Sequence, residues 1–284
     1  MFKKIFFAAA LLLASLLSAK PVVIASIAPV GYLAKAVGGD KIEVQSLAKG
    51  DVHSYEPKPN DMKAVAKARI FIAAGLEFEE AWIPRFKASA KNLVVVQSDA
   101  KIAKLKEERG EQAEHDEKHE AHADPHVWLN PMLAITMARN ISDALIDMDK
   151  ANKDFYLKNF QKLMNDLLAF DESAKNELAG LKNRKFVVYH PAWGYFAAHY
   201  DLEQISIERN GKEPKIDEMA STVKMIKDEN IKVIFADPNR SQKSAQVLAS
   251  QTGAKVELLD PLGYNLLENL KIAVGAIKDA NSPK

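Results

Sequence analysis

The 284-residue chain carries 39 basic and 38 acidic side chains, so no net field draws it to nucleic acid or to an anionic membrane. It has no cysteine, which leaves no side chain for a disulfide, a thiolate-held cluster or a thioether-linked lipid.

In chain order, Met1-Phe2-Lys3-Lys4 precedes an apolar run from Ile5 to Leu17 and the small residues Ser18 and Ala19. This layout predicts a secretory signal peptide over residues 1–19, with the mature chain starting near Lys20. At about 13 residues the run is too short for a spanning helix, which needs roughly 20, and no later segment is continuously apolar enough to serve. A periplasmic protein without stable membrane insertion is expected, and a monomer. The remaining length of about 265 residues exceeds one ordinary domain and suggests two.

Short β-rich runs at 22–27, 42–47, 69–74 and 93–97 alternate with amphipathic helical stretches in the first half. Next comes a strongly acidic loop at 106–124, poor in large apolar residues, with His115, His119 and His122. Four of the seven histidines fall between His115 and His126. Neutral imidazole is a common ligand for zinc, copper, nickel and iron, so this concentration in a thiol-free chain points to metal handling. The loop itself reads as solvated charge or as weak metal capture, not as the tight site.

From 151 to 181 there is no proline, and no glycine before Gly180. Tyr156, Phe160, Leu163, Leu167, Phe170, Ala174, Leu178 and Leu181 step by three and four, which predicts one long helix with a single apolar stripe. At 1.5 Å per residue it would span roughly 45 Å, enough to run the height of two lobes. Beyond it the rhythm of the first half returns, with β-rich runs at 185–190, 204–208, 231–236 and 255–259. The predicted architecture is α/β: an N-terminal lobe over 20–150 and a C-terminal lobe over 182–284. Each is a parallel sheet flanked by helices with its own core, and the helix at 151–181 joins them.

Open parallel sheets bind ligands at the carboxyl ends of their strands, and several polar side chains fall there. His53 lies after the second run in DVHSYEPKP, whose prolines restrict the backbone. His126 lies in DPHVWLNP, where Pro125 sets a turn and Asn130-Pro131 opens the next helix; His190 ends KFVVYH before Pro191. His199, inside GYFAAHY, reads as a packing residue. Asp237 and Asp260 each end a strand before a proline, and either could donate an oxygen or simply cap a helix. Two histidines from the first half with one histidine and one carboxylate from the second predict a metal site in the interlobe cleft. Three nitrogens and one oxygen suit tetrahedral zinc, whereas manganese would be expected to carry more oxygens.

In order along the chain, VHSYEPKPND, DPHVWLNP, VVYHPAWGYFA and LLDPLGYN resemble the ligand-bearing segments of the metal-binding solute-binding proteins of bacterial ABC transporters. The zinc-uptake, ZnuA-type branch is the nearest in pattern, and the resemblance covers nearly the whole chain. It implies that His53, His126, His190 and Asp260 are the zinc ligands, with Asp237 as second choice. It also implies an ABC membrane permease as partner and no catalytic residue. Manganese members typically carry a glutamate where this chain has His190. Some zinc members place an acidic residue where this chain has Val52, and the histidine loop here is short. The alternatives are a manganese or iron receptor of the same architecture and, from another class, an exported zinc hydrolase, against which stands the lack of an HExxH motif. With reference imidazole pKa values near 6.5, zinc affinity is expected to fall as pH drops through the low sixes.

Overall fold

The computed structural model describes residues 20–106, 123–208 and 216–281. The expected signal peptide and His115, His119 and His122 lie outside the described residues.

Two four-stranded parallel sheets organise the chain. In the first, β1 (Val22–Ala25), β2 (Glu43–Ser46), β3 (Ile70–Ala73) and β4 (Val94–Gln97) lie in the order β2-β1-β3-β4. In the second, β5 (Lys185–Val188), β6 (Glu203–Ser206), β7 (Val233–Ala236) and β8 (Lys255–Leu258) repeat that order as β6-β5-β7-β8. Composition follows position. The inner strands read VVIA, IFIA, KFVV and VIFA and are almost wholly buried, as strands covered on both faces must be. The edge strands β2, β4 and β8 carry Glu43, Gln45, Gln97, Lys255 and Glu257 and are partly open to solvent.

Helices cover the sheets: α1 (Ala28–Gly38), α2 (Pro59–Val65), α3 (Glu77–Ser89) and α4 (Pro131–Met148) in the first half, then α5 (Lys153–Leu178). The second half contributes α6 (Gly194–His199), α7 (Ile216–Asp228), α8 (Lys243–Thr252) and α9 (Leu266–Asn281). Helix α4 starts where Asn130-Pro131 predicts: the Asn130 side chain accepts the Met132 and Leu133 N–H groups at 2.9 and 3.3 Å, and Pro131 fills the first turn. Helix α5 has 26 residues, about 39 Å of rise, and buries Tyr156, Phe160, Leu163, Leu167, Phe170, Ala174 and Leu178. Its stripe packs against α1 and α4 from the first half and α9 from the second. The tight turn at 150–152 that precedes it is a 3₁₀ turn, and Leu181 lies beyond its end, half-buried.

The core departs from the expectation of one per lobe. Along β1, Val23 and Ala25 face one cluster and Ile24 the other; along β7, Val233 and Phe235 face one and Ile234 and Ala236 the other. The outer faces pack separately, Ile24 and Phe71 with Phe86, Ile234 with Leu248. The inner faces share a single continuous cluster that runs from Val23 and Ile72 through Trp128, Leu167 and Trp193 to Phe235 and Ile277. The reason is the long helix. Its apolar stripe is too long for one sheet to cover, so both sheets and the helices beside them bury it together. Among the described residues no helix is long and apolar enough to cross a membrane.

Candidate metal centre

Strand ends deliver the site. His190 follows β5 by two residues, Asp237 directly follows β7, and Asp260 follows β8 by two residues. His53 comes from the loop between β2 and α2, and His126 from the turn that leads through Val127–Leu129 into α4. These loops converge at the carboxyl ends of both sheets, where parallel α/β sheets leave a crevice.

Each loop is shaped by local hydrogen bonds. Asp51 accepts the His53 N–H at 3.1 Å on Oδ1 and the Ser54 hydroxyl at 3.2 Å on Oδ2, an Asx-type turn that sets the His53 backbone. Asp124 does the same for His126, whose N–H reaches Oδ1 at 2.9 Å. Val127, Trp128 and Leu129 are fully buried behind His126 and anchor its turn in the shared core.

The three imidazoles form a compact triangle. Ring centroids lie 5.5 Å apart for His53 and His126, 5.0 Å for His53 and His190, and 5.3 Å for His126 and His190. One nitrogen from each lies within 4.8 Å of the others, and His53 Nε2 stands 3.2 Å from His190 Nε2. Two of the rings have a carboxylate behind them. His126 Nδ1 is 2.8 Å from Asp124 Oδ1, and His190 Nδ1 is 2.8 Å from Glu208 Oε2. In the tautomer that donates Nδ1–H to the carboxylate, the Nε2 lone pair is free for an ion, as in carboxylate-histidine-metal triads. Arg240 presses on the same side, with Nη1 2.8 Å from His190 Nδ1 and Nη2 3.3 Å from Glu208 Oε1.

Protonation is disfavoured where the rings meet. Desolvation among the surrounding groups, then the neighbouring His126, lowers the His53 pKa to about 4, although part of the residue reaches solvent. Burial, followed by His126 and Arg240, holds His190 well below its ordinary value. Both rings are therefore neutral, ligand-competent bases at neutral pH.

The carboxylates stand differently from the histidines. Asp237 lines the same small cavity as His53, His126, His190 and Arg240, and burial raises its pKa. Asp260 falls outside the group whose ligand atoms all lie within 4.8 Å of one another. Its Oδ1 accepts the Asn239 side-chain N–H at 2.7 Å and the Leu262 N–H at 2.8 Å. Asn239 also donates to Asp237 Oδ1 at 2.9 Å, so one amide ties the two carboxylates together. His199 is elsewhere, its Nε2 2.6 Å from Asp171 Oδ1 on α5, in keeping with a packing role.

The residues behind the histidines were the ones that sequence reasoning passed over: Glu208, Asn239 and Arg240. Glu208 ends a predicted strand, so the carboxyl-end argument applied to His190 could have marked it. Nothing in the sequence alone distinguishes Asn239 or Arg240.

The comparisons with known proteins concern the family and the fold. Residues 23–280 match the family described as "Zinc-uptake complex component A periplasmic", ZnuA. The chain is 30% identical to the high-affinity zinc uptake system protein ZnuA of Bacillus subtilis over 91% of its own length and 86% of the relative's. A crystal structure of a ZnuA superposes with a TM-score of 0.85 at 35% identity, covering 92% of this chain and 99% of that one. A zinc-bound deletion mutant of a ZnuA gives the same TM-score at 34% identity over 93% and 99%. The family match spans both sheets, and it is this match that sets the hydrolase alternative aside: the chain belongs to the ZnuA family of metal-binding solute-binding receptors, which are not enzymes.

Proposed function

We propose that this receptor takes zinc as its cargo, captures it from the periplasm and hands it to an ABC-type membrane permease for uptake. The observation that carries the reading is the gathering of His53, His126 and His190 with one nitrogen from each within 4.8 Å of the others. Three neutral imidazoles suit zinc better than manganese, which favours oxygen donors. Asp260 is the proposed fourth ligand, reached when the oxygen other than Oδ1 turns toward the ion, and Asp237 is the second choice. The proposed chain is a mature monomer from Lys20, with lobes at 20–150 and 182–284 about the helical segment 151–181.

The first experiment is calorimetric titration of the metal-stripped mature chain with zinc and with manganese, alongside His190→Ala. One-to-one zinc binding, weaker for manganese and reduced at least about 100-fold in the variant, is expected, since a first ligand is removed from a set of four. Asp51 and Asp237, which line the same cavity as the three histidines, are the oxygens that would favour the manganese or iron alternative. Tight manganese binding that is indifferent to His190 would establish that alternative instead.

A further inference from the structure

The three histidines are not held alike. His126 and His190 are buried, 3% and 6% exposed, while His53 is exposed. His126 precedes the long helix in sequence and belongs by chain order to the first half. Its segment is nevertheless fastened to the second half at two places. At one end the Tyr195 hydroxyl, on α6, donates to the Asp124 carbonyl at 2.9 Å and accepts the Leu105 N–H at 2.8 Å. The two chain segments at that contact are held together by the Asp124 N–H, which donates to the Leu105 carbonyl at 2.9 Å, and by an isolated antiparallel bridge between Lys106 and Ala123. At the other end the Trp128 indole N–H donates to the Pro261 carbonyl at 2.8 Å, in the loop after β8. Both contacts are buried, where a hydrogen bond is worth more and a lost partner costs more. Between them, Asp124 holds the His126 ring and backbone.

Among the described residues the link from the His53 loop to the second half is longer: Arg240 Nη2 stands 4.0 Å from Asp51 Oδ2, against 2.9 and 2.8 Å for the two contacts that hold the His126 segment. Val52 is buried in the shared core, and Tyr55 donates to Asp61 at 2.9 Å, which ties the far flank of the loop to α2 in the first half. Gly50, at φ 91°, supplies a left-handed hinge just before the Asp51 turn, where a side chain would be strained. Across the cleft the His53 side chain meets His190 through Nε2, an approach between two ring nitrogens that only an ion or one shared proton makes attractive.

We propose that the metal site is a fixed pair and a closing ligand: His126 and His190 move as one unit with the second lobe, fastened by Tyr195 and Trp128, and His53 closes onto the ion from the first. Tyr195 is thus a positioning residue that acts on His126 through Asp124. The inference rests on the metal-site reading above and adds to it the order in which ligands engage.

Hydrogen exchange read by mass spectrometry, on the full mature chain with and without zinc, tests it. In the metal-free protein the amides of 124–130 are expected to exchange as slowly as those of β5. The amides of 50–55 should exchange faster and become protected when zinc is added. Tyr195→Phe removes one hydroxyl and should release 124–130 in the metal-free protein while leaving β7 protected. It should also speed zinc dissociation, followed by stopped flow against a chromophoric chelator, by about tenfold or more, the usual scale for residues that orient a ligand. His53→Ala should speed dissociation as well but leave 124–130 protected. The proposal is overturned if 50–55 is as slow as 124–130 before zinc arrives, or if Tyr195→Phe changes neither local exchange nor the dissociation rate. Should zinc not bind at all, the zinc reading fails, and exchange in the metal-free chain still decides whether the pair is fixed.

Discussion

Protons and metal compete for the same ring nitrogens, and the surroundings of His53 and His190 bias that competition. Three imidazoles at the ordinary value near 6.5 would each give up a proton on binding below that pH, so log Kd would climb by about three per pH unit. With His53 lowered to about 4 and His190 also well below its ordinary value, both rings carry less proton between about pH 6 and pH 5 than free imidazoles would. The fall in affinity expected through the low sixes should therefore be shallower and extend to lower pH. Over that interval the rise of log Kd for zinc should stay below about three per pH unit and steepen as pH nears 4. Calorimetry across that range measures the slope; a value near three would show that the rings titrate independently. The sign for folding is the same. A histidine whose folded pKa is depressed binds its proton more readily when unfolded, so the metal-free chain loses stability as pH falls from about 6.5 toward 4. His190 was legible in the sequence because a polar residue ending an apolar strand before proline has few other places to go, while His53 and His126 were marked by the proline-bearing segments that hold them. Their carboxylate partners were not. Glu208 reaches His190 because β6 pairs with β5 and the Glu208 N–H donates to the Tyr189 carbonyl at 2.8 Å, a register that no local pattern encodes. The choice between Asp237 and Asp260 likewise depends on how loops from β7 and β8 converge around Asn239.

Among the elements, α5 was the most legible because its signal is long and strictly periodic, and because its interior lacks helix breakers. Its job is visible in its side chains. Leu167 is fully buried where the inner faces of both sheets meet, and its neighbour Leu168 is 40% exposed on the opposite side. Leu167→Ala should therefore destabilise the fold by about 2–5 kcal/mol, the usual cost of emptying a close-packed leucine site, whereas Leu168→Ala should change it by less than about 0.5 kcal/mol. Urea midpoints of the two variants provide the comparison, and equal shifts would mean that the stripe is misassigned. Less legible was the buried polar contact on the same helix. Asp171 sits on the apolar side of α5, where its carboxylate meets His199 from α6 and Lys175 one turn on, the latter at 2.7 Å. A periodicity argument treats such a carboxylate as an interruption, since its partner lies 28 residues away in sequence.

For the whole molecule, the shared inner core decides how the lobes relate. Sequence length and the repeated strand rhythm correctly announce two parallel sheets, yet they cannot say whether the facing surfaces are independent, because that depends on where the long helix lies. Here α5 packs on α1, α4 and α9 at once, and the cluster containing Val23 also contains Ile277. Unfolding either half would strip apolar cover from the other, at about 25 cal/mol for each square ångström exposed, so the two halves are expected to unfold together. The metal-free chain should consequently melt in one cooperative transition, with calorimetric and van't Hoff enthalpies in agreement. Zinc should raise that single midpoint progressively with concentration above Kd, because the proposed site is assembled from both halves and has no equivalent in the unfolded chain. Two resolved transitions, with zinc shifting one and leaving the other in place, would show instead that each lobe folds on its own and that the site belongs to one of them. The single transition also bears on function. A receptor whose lobes share a core along a rigid helix cannot open by wide hinge rotation without exposing that core, which leaves short movements of rim loops such as the one carrying His53 as the cheaper route for taking up and releasing an ion.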